Sequence, residues 1–227
     1  LFGAFETLDS SLLLTTLGVV AIILIVVYRS PVLWIIPLLS AMFALTTAGG
    51  IVYLLAKNDI IDVDGQSQGI LSVLVIGAAT DYALLLIARY REELHHHENR
   101  FDAMRAAYKG VWEPILASGS TVSISLLILL FSQLTNTAGL GPIGAIGIVC
   151  AMITILTLLP AFLLVFGRWI FWPRIPRNDG DDHVMSGTWS KVGGVIGRNP
   201  RKAWVISGSV LLLFAFASTT LKADGIG

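Results

Sequence analysis

A lone cysteine, Cys150, excludes an internal disulfide, and its place inside an apolar stretch makes it a small buried thiol rather than a reactive one. Charge is scarce as well: 13% of the 227 residues are charged against 55% hydrophobic, and the 15 basic and 15 acidic side chains cancel. That balance excludes a general nucleic-acid binder. The chain carries no glycine-rich phosphate loop, no nucleophile elbow and no HExxH pair, so neither an ATP-driven pump nor an enzyme is expected from this stretch. The run His95-His96-His97-Glu98 does not restore a metal site, because consecutive helical positions point apart and only His95 and Glu98 stand at i and i+3. Neither metal nor cofactor is expected. A basic start is also missing: LFGAFETLDS is no signal peptide, and the chain reads as a piece of a longer protein.

What the sequence has in abundance is apolar blocks about 20 residues long, the span of a bilayer core, with a mean hydropathy of +0.79. They predict an all-α, polytopic helical membrane protein with six transmembrane helices, near 11–28, 32–55, 67–88, 112–134, 138–166 and 203–221. Arg29-Ser30-Pro31 is a tight joint between the first two, which are expected to be antiparallel neighbours. Of the Lys and Arg residues, all but Lys57 and Lys222 fall in alternate connections. Positive-inside bias therefore places those connections in the cytoplasm and both termini outside. An outside N-terminus without a signal of its own predicts an earlier crossing upstream.

The connection 89–111 carries Phe101, Met104, Tyr108 and Val111 on one helical face. It is expected to lie along the inner membrane surface, or else to pack on a cytoplasmic partner. After the fifth span, Trp169, Phe171 and Trp172 beside Arg168 and Arg174 read as an interfacial belt, and Pro173, Pro176 and the polar stretch RNDGDDH make a flexible connection within a cytoplasmic linker over 173–202. Asn199 and Pro200 have the pattern of a cap and first-turn proline opening the sixth helix.

Asp81 and Tyr82 interrupt the third apolar run, SQGILSVLVIGAATDYALLLIA. A carboxylate near a membrane helix centre costs roughly 2.5 to 3.5 kcal/mol, so such residues usually face a bundle interior and mark ion or substrate pathways. Gly77 stands one turn above Asp81 and admits close packing. Tyr82, about 100° round the helix, is suited to bond a group on another helix. A proton relay at Asp81 is weighed against a structural hydrogen bond or a cation site. In the next helix Ser118, Thr121 and Ser125 share a face, either bonding their own i−4 carbonyls or hydrating Asp81. Gly141, Gly144, Gly147 and Ala151 form a small-residue face for tight helix packing, and Pro160 is placed to kink the fifth helix.

The strings GAATDYALLLIARYREEL, GLGPIGAIGI, LTLLPAFL and GRWIFWPRIPR, with a basic loop and a Ser/Thr-rich helix between the first two, resemble the MMPL (mycobacterial membrane protein large) family of the resistance-nodulation-division (RND) superfamily, over roughly residues 10–222. The resemblance implies twelve spans in two halves, each half with an extracytoplasmic porter-type domain after its first span. This chain would supply spans two to seven: the end of one outer domain at 1–10, a five-helix, sterol-sensing-domain-like bundle at 11–172, the first helix of the second half at 203–221 and the start of a second outer domain at 222–227. It further implies that Asp81 and Tyr82 are half of a proton relay facing a matching pair in the missing second half. Gly77, Ser125, Ser118 and Thr121 would support it. A proton gradient, not a cofactor, would drive export of lipids or other hydrophobic molecules across a bacterial cytoplasmic membrane, with membrane lipids and, in some arrangements, further copies of the protein as partners. The alternative is a sterol-sensing-like, lipid-binding regulatory module without transport.

Overall fold

The computed structural model describes residues 2–28, 30–61, 63, 65–132, 135–173 and 188–218. Among them every regular element is helical: α1 (Phe2–Tyr28), α2 (Ile35–Lys57), α3 (Gly65–His96), α4 (Arg100–Ile128), α5 (Thr135–Phe166), α6 (Thr188–Arg198) and α7 (Pro200–Ser218), with 3-10 turns at Leu129–Phe131 and Gly167–Phe171. Five stretches are long and apolar enough to cross a membrane, Ile35–Lys57, Ser67–His96, Arg100–Phe131, Gly139–Phe171 and Pro200–Ala217, and Leu13–Tyr28 is a shorter apolar helix. The protein is an all-α, multi-pass membrane protein whose helices coincide with the six expected spans.

The chain divides into two units, Leu1–Gly180 and Asp181–Gly227. In the first, α3 and α5 form a central pair: α5 packs on α2, α3 and α4, while α3 also takes α1, α2 and α4. Small residues permit this. Ala41, Ala44 and Ala48 of α2 are wholly buried at helical spacing, as is Ala151 of α5. The expected glycine face of α5 is realised, since a Cβ on Gly141 would lie 2.5 Å from the Leu126 carbonyl oxygen, and one on Gly147 would lie 2.6 Å from Leu71 and Val75 side chains. Cys150 is buried, as its surroundings predicted.

Three expectations need correction. First, α1 packs chiefly on α3 and only marginally on α2. The joint is short, with six residues between the end of α1 at Tyr28 and the start of α2 at Ile35. Ser30 fixes the joint: its buried hydroxyl donates to the Ile170 carbonyl at 2.9 Å and accepts from the Leu33 N–H at 3.3 Å. Ser30→Ala strands the Ile170 carbonyl, a loss of about 1 to 3 kcal/mol. Denaturant titration of the purified chain in detergent reads it, and an unchanged midpoint would remove this role.

Second, residues 100–111 are not a separate surface helix. Asn99 caps α4 by accepting the Phe101 N–H at 3.0 Å, and α4 then runs on as one helix to Ile128. Its buried line is Ala103, Met104, Ala107, Val111, Ile115, Gly119 and Ser123, which leaves Phe101 and Tyr108 exposed. Small residues at i, i+4 spacing set that face, because they let α4 lie close to α3 and α5.

Third, the aromatic belt is split. In a 3-10 turn residues three apart eclipse, so Trp169 and Trp172 share the exposed side while Arg168 and Phe171 turn inward. Phe171 meets the buried Tyr90 ring at 6.1 Å and 49°, and Arg168 donates to the carbonyls of His97 and Glu98 at the α3–α4 joint. Gly167, at φ 63°, adopts the left-handed conformation that ends α5. On α3 the same end is laced by Arg89, which reaches Glu92 at 2.8 Å and the buried Glu93 at 2.7 Å, while Glu93 also meets His97 Nδ1 at 3.3 Å.

Within the linker 173–202, α6 occupies Thr188–Arg198; the stretch 174–187, with Pro176 and RNDGDDH, lies outside the described residues, as do 219–227. Asn199 and Pro200 open α7 as expected, with the Asn199 carbonyl accepting the Ala203 N–H at 3.1 Å. At the other end, α1 is helical from Phe2, through the segment expected to close an outer domain.

Candidate functional site

Asp81 belongs to α3, whose two sides differ sharply. One side, through Leu71, Val75, Ala79, Tyr82, Ala83, Leu86 and Tyr90, is packed in the bundle core. The other is an outward stripe in which Ile70, Val73 and Leu85 are exposed apolar side chains, Ala88 is exposed, and Asp81 is the single charge among them. The carboxylate has no hydrogen bond or ion pair among the described residues. Because α3 continues to His96, Asp81 sits mid-helix, roughly 21 Å from Ser67 and roughly 23 Å from His96 at 1.5 Å per residue.

Gly77, one turn away on the same stripe, has nothing within 4 Å of where a Cβ would stand. The close approach expected there is not made by any described part of this chain. The neighbouring Thr80, which sequence reasoning passed over, is buried and its hydroxyl donates to the carbonyls of Ile76 at 2.7 Å and Gly77 at 2.9 Å. Its signal was ordinary: a hydroxyl beside a glycine in an apolar helix back-bonds its own turn.

Tyr82 is 8% exposed and turns into the core, whereas Asp81 turns out. The two adjacent residues are thus parted by the helix itself, as the 100° step requires. Ser118, Thr121 and Ser125 on α4 are all exposed; Thr121 donates to Ala117 O and Ser125 to Thr121 O, each at 2.8 Å. No hydrogen bond joins them to Asp81 among the described residues. Ser123, not singled out by sequence, lies on the buried line of α4 with its Oγ unpartnered.

A carboxylate in the middle of an exposed apolar stripe cannot be left against lipid cheaply, and no snorkelling route exists for so short a side chain. The geometry therefore describes an exposed apolar stripe with an ionisable group at its centre and open space over Gly77. The family model described as MMPL family matches residues 2–203. The chain belongs to the MMPL family. It is 47% identical over 223 residues to the membrane protein ActII-3 of Streptomyces coelicolor, covering 98% of this chain and 31% of that protein. It is 38% identical over 188 residues to the apo-petrobactin exporter of Bacillus anthracis, covering 83% of this chain and 25% of that protein. With the probable transport protein MmpL12 of Mycobacterium tuberculosis it shares 35% identity over 204 residues, 89% of this chain and 17% of that protein. This MMPL chain thus spans about a third or less of the length of these curated relatives.

Proposed function

We propose that the chain is part of the membrane portion of a proton-motive-force-driven exporter of lipids or other hydrophobic molecules, acting in a bacterial cytoplasmic membrane. The observation that carries the reading is Asp81, with no partner among the described residues, at the centre of the outward apolar stripe of α3. A matching Asp-Tyr pair in a second half would cover that stripe, and the enclosed carboxylate would then take up and release the proton. Tyr82, packed in the core on the other side of α3, would hold the rotational setting of the helix. Ser118, Thr121 and Ser125 would bring hydroxyls to the same side. Relatives named as an exporter and a transport protein support transport as the class of activity. The deciding experiment is gradient-driven efflux by the complete parent protein in vesicles, with Asp81→Asn at matched expression and folding. Unchanged efflux would sink the proposal.

One observation favours the second reading, a lipid-binding regulatory module. A cleft of about 420 Å³ lies among α1, α2 and α3, lined by apolar residues such as Leu13, Leu45 and Leu71 with Gln68 and Ser72 at its side. That lining suits an acyl chain with a polar head. If the cleft retains a lipid whose binding changes the parent protein's activity while Asp81→Asn leaves the activity intact, the regulatory reading takes its place.

A further inference from the structure

We infer that α6 and the first turn of α7 form a binding site for anionic phospholipid headgroups on the membrane face from which α7 enters. Trp189, Val192, Val195 and Ile196 recur at i, i+3, i+6 and i+7 in the sequence, a stripe roughly 120° wide on a 3.6-residue helix. Val192, Val195 and Ile196 are 41%, 67% and 49% exposed, so these three side chains are left open by the described residues. The opposite side carries Gly193, Gly194 and Gly197, each with open space around it. A helix with an apolar stripe and a back of glycine has nothing to gain from burial on both sides. It is built to lie on a boundary.

Charge identifies which boundary. From Thr188 to Ser218 there is no Asp or Glu, while Lys191, Arg198, Arg201 and Lys202 are all basic. Lys191 and Arg198, seven apart, fall along one edge of the apolar stripe. Arg201 and Lys202 are exposed in the first turn of α7, where the apolar membrane span begins. A single residue, Asn199, separates the two helices, and Pro200 disfavours helical geometry there. The Asn199 N–H still donates to the Val195 carbonyl at 3.2 Å, which keeps the joint short. Arg198, Arg201 and Lys202 therefore fall within one turn of the point where α7 begins, with Lys191 two turns before Arg198 along α6. Clustered Lys and Arg beside a membrane span attract anionic lipid, each charge contributing about 1 kcal/mol, or roughly fivefold in affinity. A protein groove would need acids placed to match four cations; a leaflet containing anionic lipid supplies them at any register.

The inference rests on α7 crossing the membrane and is independent of the proton relay. Its test uses the full chain with Cys150→Ala, carrying one environment-sensitive fluorophore at Val195→Cys, at Gly194→Cys or at Leu212→Cys. Each is reconstituted into phosphatidylcholine vesicles with or without phosphatidylglycerol. The expected result is a blue-shifted, quencher-shielded signal at 195 in phosphatidylglycerol vesicles, a water-exposed signal at 194 and a buried one at 212. Adding Lys191→Gln and Arg198→Gln shifts the embedded-to-free ratio at 195 about thirtyfold at low salt. A wet signal at 195 alongside a buried one at 212 would overturn the inference alone. Embedding at 195 that ignores both phosphatidylglycerol and the charge removal would overturn the headgroup site. A wet signal at 212 would instead overturn the membrane reading of α7, and the inference with it.

Discussion

Asp81→Asn in the complete parent protein is expected to reduce gradient-driven transport by about a hundredfold or more, the scale of losing a group that moves a proton in every cycle. The replacement has nearly the same volume and can still make hydrogen bonds, but it cannot exchange a proton near neutral pH. Since the carboxylate faces out of the bundle and holds no partner among the described residues, its removal should leave the fold of this chain intact. Transport and stability therefore separate at this position. Asp81→Leu tests the remaining alternative, since it restores an unbroken apolar stripe. If Leu supports full transport, the carboxylate is neither a relay nor a necessary helix contact. Tyr82→Phe should have a smaller effect, several-fold at most, because its ring packs in the core and only the hydroxyl is lost. An equal loss at the two positions would mean that they act as one unit.

The helices were legible because length and apolarity fix a membrane span almost without reference to packing. Which helix touches which was not legible. The short Arg29-Ser30-Pro31 joint suggested that neighbours in sequence are neighbours in space, yet α1 lies on α3, and Ser30 is tied to Ile170, a contact 140 residues distant that no local pattern contains. The connection 89–111 misled for a related reason: Phe101 and Tyr108 make a persuasive amphipathic face, but the alanines and glycine of α4 decide its packing by allowing close approach. At the site, the residue identities were readable and their directions only partly so. The choice of Asp81 followed from its cost in lipid. That it points away from its own bundle required the packed side of α3 to be known.

The glycines convert this distinction into a second large effect. Gly141→Ala should destabilise the chain by up to about 3 kcal/mol, the upper range for overpacking, because the new Cβ would stand 2.5 Å from the Leu126 carbonyl oxygen. That obstacle is backbone inside a helix, so α4 and α5 must move apart as bodies. Gly119→Ala meets the Met152 side chain first, and a flexible thioether yields more readily than helix backbone, so it should cost less. Gly77→Ala meets nothing within 4 Å and should be neutral for this chain, or slightly favourable through helix propensity. Thermal unfolding of the three variants in detergent orders them, and a Gly141→Ala midpoint equal to that of Gly77→Ala would refute the packing argument. In the complete parent protein the order should change for transport: if another helix seats on the Asp81 stripe, Gly77 is where it comes nearest, and a bulkier Gly77→Leu should impair transport while leaving the stability of this chain untouched. A Gly77→Leu protein that transports normally would show that no helix approaches there, and the proposed cover over Asp81 would have to be abandoned.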